Sequence, residues 1–243
     1  MKFAIISAGE GSRLAQEGVE LPKPLVKVCG EAMIDRLIRI FTQCGADEIV
    51  VVVNNLTPLT KQHLDSLSTK VPLRIIVRTT PSSMHSFYEL SRYLRDDKFC
   101  LTTVDTIFRE DDFRRFIDEF RQSTDDGLMG VTDYIDDEKP LYISTDKADM
   151  ITGFHDSVAD YEASPVAQTS ECRFISGGIY CLTPRAIDTL ERCIASGQSR
   201  MRNFQRALVA DGLRLKAHRF SKILDVDHAS DIEKAEQFLN SLS

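Results

Sequence analysis

Between Ala8 and Leu25 the chain reads Ala8-Gly9-Glu10-Gly11-Ser12-Arg13-Leu14 and, a few residues on, Leu21-Pro22-Lys23-Pro24-Leu25. Glycines at 9 and 11 allow a sharp turn with the backbone N–H groups exposed, which is how a loop cradles an anion. Arg13 and Lys23 bring positive charge to the same place. The apolar run Phe3 to Ser7 just before the loop has strand character. Together these residues suit the holding of a nucleoside triphosphate.

Other loops can be compared with this one. A dinucleotide site needs Gly-x-Gly-x-x-Gly, but Leu14 stands at the third position, and the second strand runs into Asn54-Asn55 where an acidic ribose ligand is expected. A Walker loop needs Gly-x-x-x-x-Gly-Lys followed by Ser or Thr, and no such run occurs. A plain glycine turn accounts for Gly-x-Gly alone, though not for Arg13 and the Pro-Lys-Pro that follow.

Phosphate chemistry of this kind calls for a divalent cation, and two places could supply ligands. Asp105 follows the apolar run Phe99 to Val104, at the strand end where open α/β sheets bind ligands. Asp225 and Asp227 flank Val226 ahead of the last helix. Carboxylate oxygens suit Mg²⁺, which takes few protein ligands and keeps phosphate oxygens and water for the rest. Taken singly, each aspartate reads equally as a turn or a helix cap.

The elements that would position these residues alternate. Strand-like runs at Phe3 to Ser7, Glu48 to Asn54, Leu73 to Val77 and Phe99 to Val104 are separated by helical patterns, the signature of a mostly parallel sheet with crossover helices. Ile34, Leu37, Ile38 and Phe41 follow helical spacing, as do Phe113, Phe116, Ile117 and Phe120, so each stripe is expected to pack on the sheet. From Gly127 the runs Gly127 to Thr132, Leu141 to Ser144, Met150 to Phe154 and Phe174 to Cys181 lack long intervening helices, which predicts a smaller mixed or antiparallel portion. Thr183-Pro184 is read as the cap of a helix carrying Ile187, Leu190 and Ile194, and a short helix surrounds Phe204 and Leu208. Strands near Arg214 to Ala217 and Lys222 to Val226 follow, and Ser230-Asp231-Ile232-Glu233 has the form of a capping box for the closing helix.

With 243 residues and 42% hydrophobic content the chain can bury one sizeable core, and residues 1–243 are read as one domain without repeat or linker. A net charge of −7 argues against a nucleic-acid groove, and the runs Asp111-Asp112, Asp125-Asp126 and Asp136-Asp137-Glu138 read as solvated surface. No apolar run is long enough to span a membrane and no secretory pattern opens the chain, so a cytoplasmic protein is expected. The six cysteines form no Cys-x-x-Cys pair and are read as reduced packing residues.

Gly9-Glu10-Gly11-Ser12-Arg13-Leu14 with Pro22-Lys23-Pro24-Leu25 resembles the signature of the sugar-phosphate nucleotidylyltransferases, within the GT-A-like nucleotidyltransferase superfamily. The resemblance covers essentially the whole chain and implies a Rossmann-like three-layer α/β/α fold. It implies that Ala8 to Arg13 wrap a triphosphate, with Arg13 on the β and γ phosphates and Lys23 on the α phosphate. It also places Mg²⁺ on Asp105 and Asp227, since Asp225-Val226-Asp227-His228-Ala229-Ser230-Asp231 is similar to the family's terminal Asp-x-Asp stretch, with Asp225 in reserve. Ser82 and His85, in a segment after Pro81, correspond to the family's base-reading turn, although two serines at a helix start serve equally as caps. Gly177 and Gly178, in Ile175-Ser176-Gly177-Gly178-Ile179-Tyr180, correspond to an acceptor-binding strand, where a glycine pair could also be a bulge. The implied reaction is attack of a phosphorylated acceptor, such as a sugar 1-phosphate, on the α phosphorus, with pyrophosphate leaving and no covalent enzyme intermediate.

One departure bears on the acceptor. Where the family commonly carries a phosphate-binding lysine in Glu-Lys-Pro, this chain has His155-Asp156-Ser157, and Lys147 lies on the wrong side of the preceding strand. His155 could help only if protonated or donating. The helix Met84 to Leu94 running into Val104-Asp105-Thr106 also looks like the phosphocholine cytidylyltransferase branch, for which an aromatic cage would be expected. A catalytically silent nucleotide-sensing module is the reading from a different class. With the sequence ending at its closing helix, the C-terminal left-handed β-helix that some relatives carry is not expected. Nucleobase, acceptor and oligomeric state stay open at this point.

Overall fold

Four of the apolar runs read from the first half of the chain become adjacent parallel strands. The computed structural model describes residues 1–9, 11–136 and 139–241, so Glu10, Asp137 and Glu138 lie outside the described residues. The chain begins with β1 (Lys2–Ser7), a short α1 (Ser12–Gln16), a 3-10 turn at Lys23–Leu25 and a small hairpin of β2 (Lys27–Val28) and β3 (Glu31–Ala32). Then come α2 (Met33–Gln43), β4 (Ile49–Val53), α3 (Pro58–Ser66), β5 (Leu73–Val77), α4 (Ser83–Ser91), β6 (Phe99–Thr103), β7 (Thr106–Phe108), α5 (Glu110–Gln122) and β8 (Gly127–Thr132). The remainder holds β9 (Tyr142–Thr145), β10 (Ile151–His155), α6 (Val158–Glu162), the long β11 (Glu171–Leu182), α7 (Arg185–Ala195), α8 (Met201–Ala210), β12 (Leu215–Arg219), β13 (Ile223–Asp225) and α9 (Ala229–Asn240).

Strands β5, β4, β1 and β6 run parallel in that order, and β11 joins β6 antiparallel. The other edge of the sheet is mixed: β11 pairs antiparallel with both β8 and β9, β12 lies parallel to β8, and β10 closes on β9. The change of pattern after Gly127 is therefore a change in sheet direction. Strand β4 is buried at every residue because helices cover both faces of the sheet, which is why it reads as an unbroken Val/Ile run.

Alternate residues of β1 feed opposite cores. Ala4 and Ile6 join Phe87, Phe99 and Phe204 under α4, α7 and α8, while Phe3 and Ile5 join the stripes of α2 and α5. In the second core Phe41 stacks on Phe113 at 5.4 Å between ring centroids, and Phe113 on Phe108 at 4.8 Å. Each such pair adds about 0.5–1.5 kcal/mol beyond the area buried, so the strand ends that carry the site stand on a stiff base.

Three local expectations are corrected. Asp112 and Asp126 are buried rather than solvated, because Asp112 accepts from the N–H and hydroxyl of Ser221, and Asp126 accepts from Arg185 at 2.8 Å and the Arg214 N–H at 2.9 Å. The Thr183 hydroxyl caps nothing, as its Oγ1 is buried without a partner and only its carbonyl accepts the Ala186 N–H, at 3.0 Å. The closing helix starts two residues before the expected box, with Asp231 rather than Glu233 reaching back to accept the His228 N–H at 2.8 Å. Among the described residues no helix is long and apolar enough to cross a membrane, and all six cysteines are free thiols.

Candidate active site

The glycine loop leaves the carboxyl end of β1 and is held from below by a buried amide. Asn54 Nδ2 donates to the Ala8 carbonyl at 3.0 Å, while Asn54 Oδ1 accepts from the Leu56 N–H at 2.9 Å and the Thr79 hydroxyl at 2.8 Å. Gly11 has φ +62, and a Cβ there would lie 2.9 Å from the Lys23 Cβ, so glycine is what lets the loop close against the Pro-Lys-Pro turn. A Cβ on Gly9 would meet nothing within 4 Å, leaving open space above that residue for a ligand. Leu14, the residue that excluded the dinucleotide pattern, packs in a third core with Val26, Met33, Val226 and Phe238.

Lys23 projects from its 3-10 turn to a point between two carboxylates. Its Nζ is 2.5 Å from Asp105 Oδ2 and 2.6 Å from Asp227 Oδ1, and Arg13 Nη1 lies 3.1 Å from Asp227 Oδ2. The two aspartates, far apart in sequence, are brought together by the antiparallel β7–β13 ribbon and by the Val226 N–H, which donates to the Asp105 carbonyl at 3.1 Å. Burial works to lower the Lys23 pKa, but the charges and hydrogen bonds of Asp105 and then Asp227 outweigh it and push the ammonium well above its ordinary range. Lys23 is thus a fixed charge. Arg13 differs, because its side chain is 54% exposed and an exposed pair is worth about 0–1 kcal/mol, so its guanidinium can leave Asp227 for a better anion at little cost.

Asp105 Oδ1 is buried and has no hydrogen-bond partner among the described residues. A buried carboxylate oxygen left bare costs about 1–3 kcal/mol, so the arrangement has room for a further positive group. Two converging carboxylates, with no larger cluster of His, Cys, Asp or Glu among the described residues, fit a hard cation that takes its remaining oxygens from phosphates and water.

Ala8, Gly9, Gly11, Ser12, Arg13, Lys23, Ser82, Asp105 and Asp227 all line one cleft of about 540 Å³, joined by Thr80, Ser83, Ser86 and Thr103. Ser82 has two roles there: it lines the cleft and it caps α4, its Oγ accepting the His85 N–H at 3.5 Å. His85 does not line the cleft. Its Nδ1 sits 2.9 Å from Ser82 Oγ, so it reaches the cleft only through that hydroxyl.

The glycine pair is a bulge. The register of β11 on β8 shifts between Ser176 and Ile179, with Gly178 at φ +71. Gly178 lines a second depression that opens onto the first, and Gly177 lines a neighbouring hollow with Arg13 and Asp227 while packing closely, since a Cβ there would lie 2.2 Å from Ile223 Cδ1. Asp225 is the last residue of β13 and lines the same depression as Gly178, while the chain turns so that Asp227 enters the cleft. His155 is buried, with Nε2 2.9 Å from Ser144 Oγ, and burial followed by the nearby Arg206 charge lowers its pKa. It therefore offers no cation to an acceptor phosphate. Sequence reasoning passed over Asn54 as a loop support, and Arg200 and Arg202, which line the second depression; only their charge, next to a helix start, pointed to them.

A parallel sheet with a phosphate-type loop at one strand end, and an acidic pair with a lysine at the next, defines a nucleotidyltransferase fold. The solved inositol-1-phosphate CTP transferase from T. maritima shares it, with a TM-score of 0.77 at 16% identity over 100% of this chain and 97% of that chain. The chain belongs to the MobA-like NTP transferase domain family, whose profile matches residues 3–211. It is 23% identical over 243 residues to the UTP--glucose-1-phosphate uridylyltransferase AglF of Haloferax volcanii, covering 98% of this chain and 96% of that protein. It is 30% identical over 90 residues to the choline-phosphate cytidylyltransferase of Streptococcus pneumoniae, covering 37% of this chain and 38% of that protein. The chain thus spans well under half of the cytidylyltransferase and nearly all of the uridylyltransferase.

Proposed function

We propose that this protein transfers a nucleotidyl group from a nucleoside triphosphate to a phosphorylated acceptor of the sugar 1-phosphate type, releasing pyrophosphate. The observation that carries the reading is the convergence of Lys23 on Asp105 and Asp227 at 2.5 and 2.6 Å, facing the glycine loop across one cleft. A triphosphate and a phosphorylated acceptor repel each other, so a catalyst for their union must neutralise charge and fix direction. The Ala8 to Arg13 loop and the Arg13 guanidinium hold the outer phosphates, which become the leaving group. Lys23 neutralises the α phosphate, and Ser82 lies on the base side with His85 behind it.

Asp105 and Asp227 would hold Mg²⁺, which supplies further charge neutralisation to the triphosphate when bound. The acceptor phosphate is already ionised at neutral pH, so no side chain has to remove a proton from it. Residues 1–243 act as one domain in this reading, supported by a family match over residues 3–211 and by Asp227, beyond that match, which meets Asp105 beside the β7–β13 ribbon. A net charge of −7 argues against a nucleic-acid partner, so the phosphates of the substrates are met by the local positive charge of Arg13 and Lys23.

The choline-phosphate reading asks for an aromatic cage, yet among the described residues Tyr180 is the one aromatic residue that lines the second depression. A silent sensing module would have no need of Asp105 and Asp227 beside Lys23. The test is a pyrophosphate-release screen of the common nucleoside triphosphates against sugar 1-phosphates, phosphocholine and related esters, with Mg²⁺. Turnover with a sugar 1-phosphate is the expected result, and silence with every pair would move the reading to a sensing module.

A further inference from the structure

The second depression, about 510 Å³, opens onto the triphosphate cleft through Ser82, Ser83, Thr103 and Asp105. Its far wall is cationic. Arg200 and Arg202, at the N-terminal end of α8, line it beside Lys139. Arg200 is exposed, and its guanidinium makes no ion pair among the described residues. Arg202 is held in place: Nη1 pairs with Asp156 and Nη2 donates to the Lys139 carbonyl at 3.1 Å. Asp156 is shared with Arg206, whose Nη2 lies 2.8 Å away and whose Nε donates to the Phe154 carbonyl at 3.1 Å. One carboxylate therefore faces two guanidinium groups, one on each of its oxygens.

The remaining lining carries the carboxylates of Asp105 and Asp225 together with a polar, uncharged stretch between β11 and α8. Ser176 Oγ donates to Gln205 Oε1 at 2.9 Å, and Gln205 Nε2 donates to the Tyr180 hydroxyl at 3.4 Å. Such a wall matches the hydroxyl groups of a polyol. It has no aromatic cage for a quaternary ammonium, Tyr180 being its one aromatic residue among those described.

On the basis of the proposed nucleotidyl transfer, we infer that Arg200 and Arg202 grip the acceptor phosphate, that Asp156 is a positioning residue for Arg202, and that the acceptor is a hydroxylated phosphate ester rather than a quaternary-ammonium one. Guanidinium groups bind phosphate through paired N–H donors, so two from one helix start replace the lysine that His155-Asp156-Ser157 lacks. In the reaction an oxygen of the gripped phosphate bonds to the α phosphorus, the bond between the α phosphorus and its bridging oxygen to the β phosphate breaks, and pyrophosphate leaves with the electron pair. No proton has to move.

The experiment compares the wild type with Arg200→Ala/Arg202→Ala, Arg202→Lys and Asp156→Asn, measuring pyrophosphate release as each substrate is varied. The double variant should raise the acceptor KM by about tenfold to a hundredfold while the triphosphate KM stays within about twofold. Asp156→Asn should raise the acceptor KM by a smaller factor with kcat unchanged, and Arg202→Lys should recover part of the loss. An unchanged acceptor KM in the double variant, equal rises in both KM values, or phosphocholine as the best acceptor would overturn the inference. If the wild type turns over no pair at all, the nucleotidyl-transfer reading fails. Calorimetric titration with glucose 1-phosphate then judges this site alone: binding lost in the double variant supports it, while binding that persists there, or none in the wild type, overturns it.

Discussion

The ammonium of Lys23 lies 2.5 Å from a carboxylate oxygen of Asp105 whose sister oxygen is buried and bare. In the free protein the lysine therefore sits where positive charge is wanted, and a divalent cation has to share those carboxylates with it. In the proposed reaction a bound triphosphate would change that balance by giving Lys23 phosphate oxygens to face.

Replacing Lys23 with methionine leaves Asp105 and Asp227 facing each other without the intervening charge. We expect a loss of about 1–3 kcal/mol, less than the ~3–5 kcal/mol for breaking a fully buried pair, because the Asp227 side chain is 43% exposed. Mg²⁺ should restore stability to Lys23→Met and do little for the wild type, as read from thermal melts with and without the ion. Equal stabilisation of both proteins would show that the lysine does not compete for those oxygens.

Gly177 is a packing glycine in this structure. Gly177→Ala drives a methyl toward Ile223 Cδ1 at 2.2 Å and the Gly130 carbonyl at 3.2 Å, which should cost about 1–3 kcal/mol. Adding Ile223→Val should return part of that loss, and chemical denaturation of the single and double variants measures it. A Gly177→Ala protein as stable as the wild type would mean that β13 moves aside freely.

His155 gives a pH dependence with a definite sign. Its pKa is lowered from 6.5 by burial and by the Arg206 charge, so the unfolded chain takes up a proton at higher pH than the native one. Its contribution to stability is complete above pH 6.5 and declines as the pH falls from there toward the lowered value. A His155→Asn variant should flatten that part of the stability curve, and NMR titration of the imidazole should give a midpoint below 6.5. A midpoint at or above 6.5 would contradict the buried setting.

Much of this site is legible in sequence because its parts are local. Gly9, Gly11, Arg13 and Lys23 fall within one short stretch, and Asp105 follows a strand that its own apolar run reveals. What joins them is not local. Strand β7, three residues long, carries too little periodicity to be recognised, and the strand expected near Lys222 to Val226 does not reveal its partner, yet the β7–β13 pairing decides that Asp227 reaches the cleft and Asp225 the neighbouring depression. Burial of Asp112 and Asp126 likewise depends on partners from distant segments, Ser221 for one, Arg185 and Arg214 for the other. Gly178 could be read either as a site of close approach or as a bulge, and only the register with β8 distinguishes the two.

The central claim, that Asp105 serves nucleotidyl transfer, is tested most directly by measuring pyrophosphate release from wild type and Asp105→Asn with the best substrate pair and Mg²⁺. The wild type should release pyrophosphate in step with product, and the variant should lose at least about a hundredfold in kcat with its melting curve little changed. A folded Asp105→Asn protein that turns over like the wild type would contradict the account.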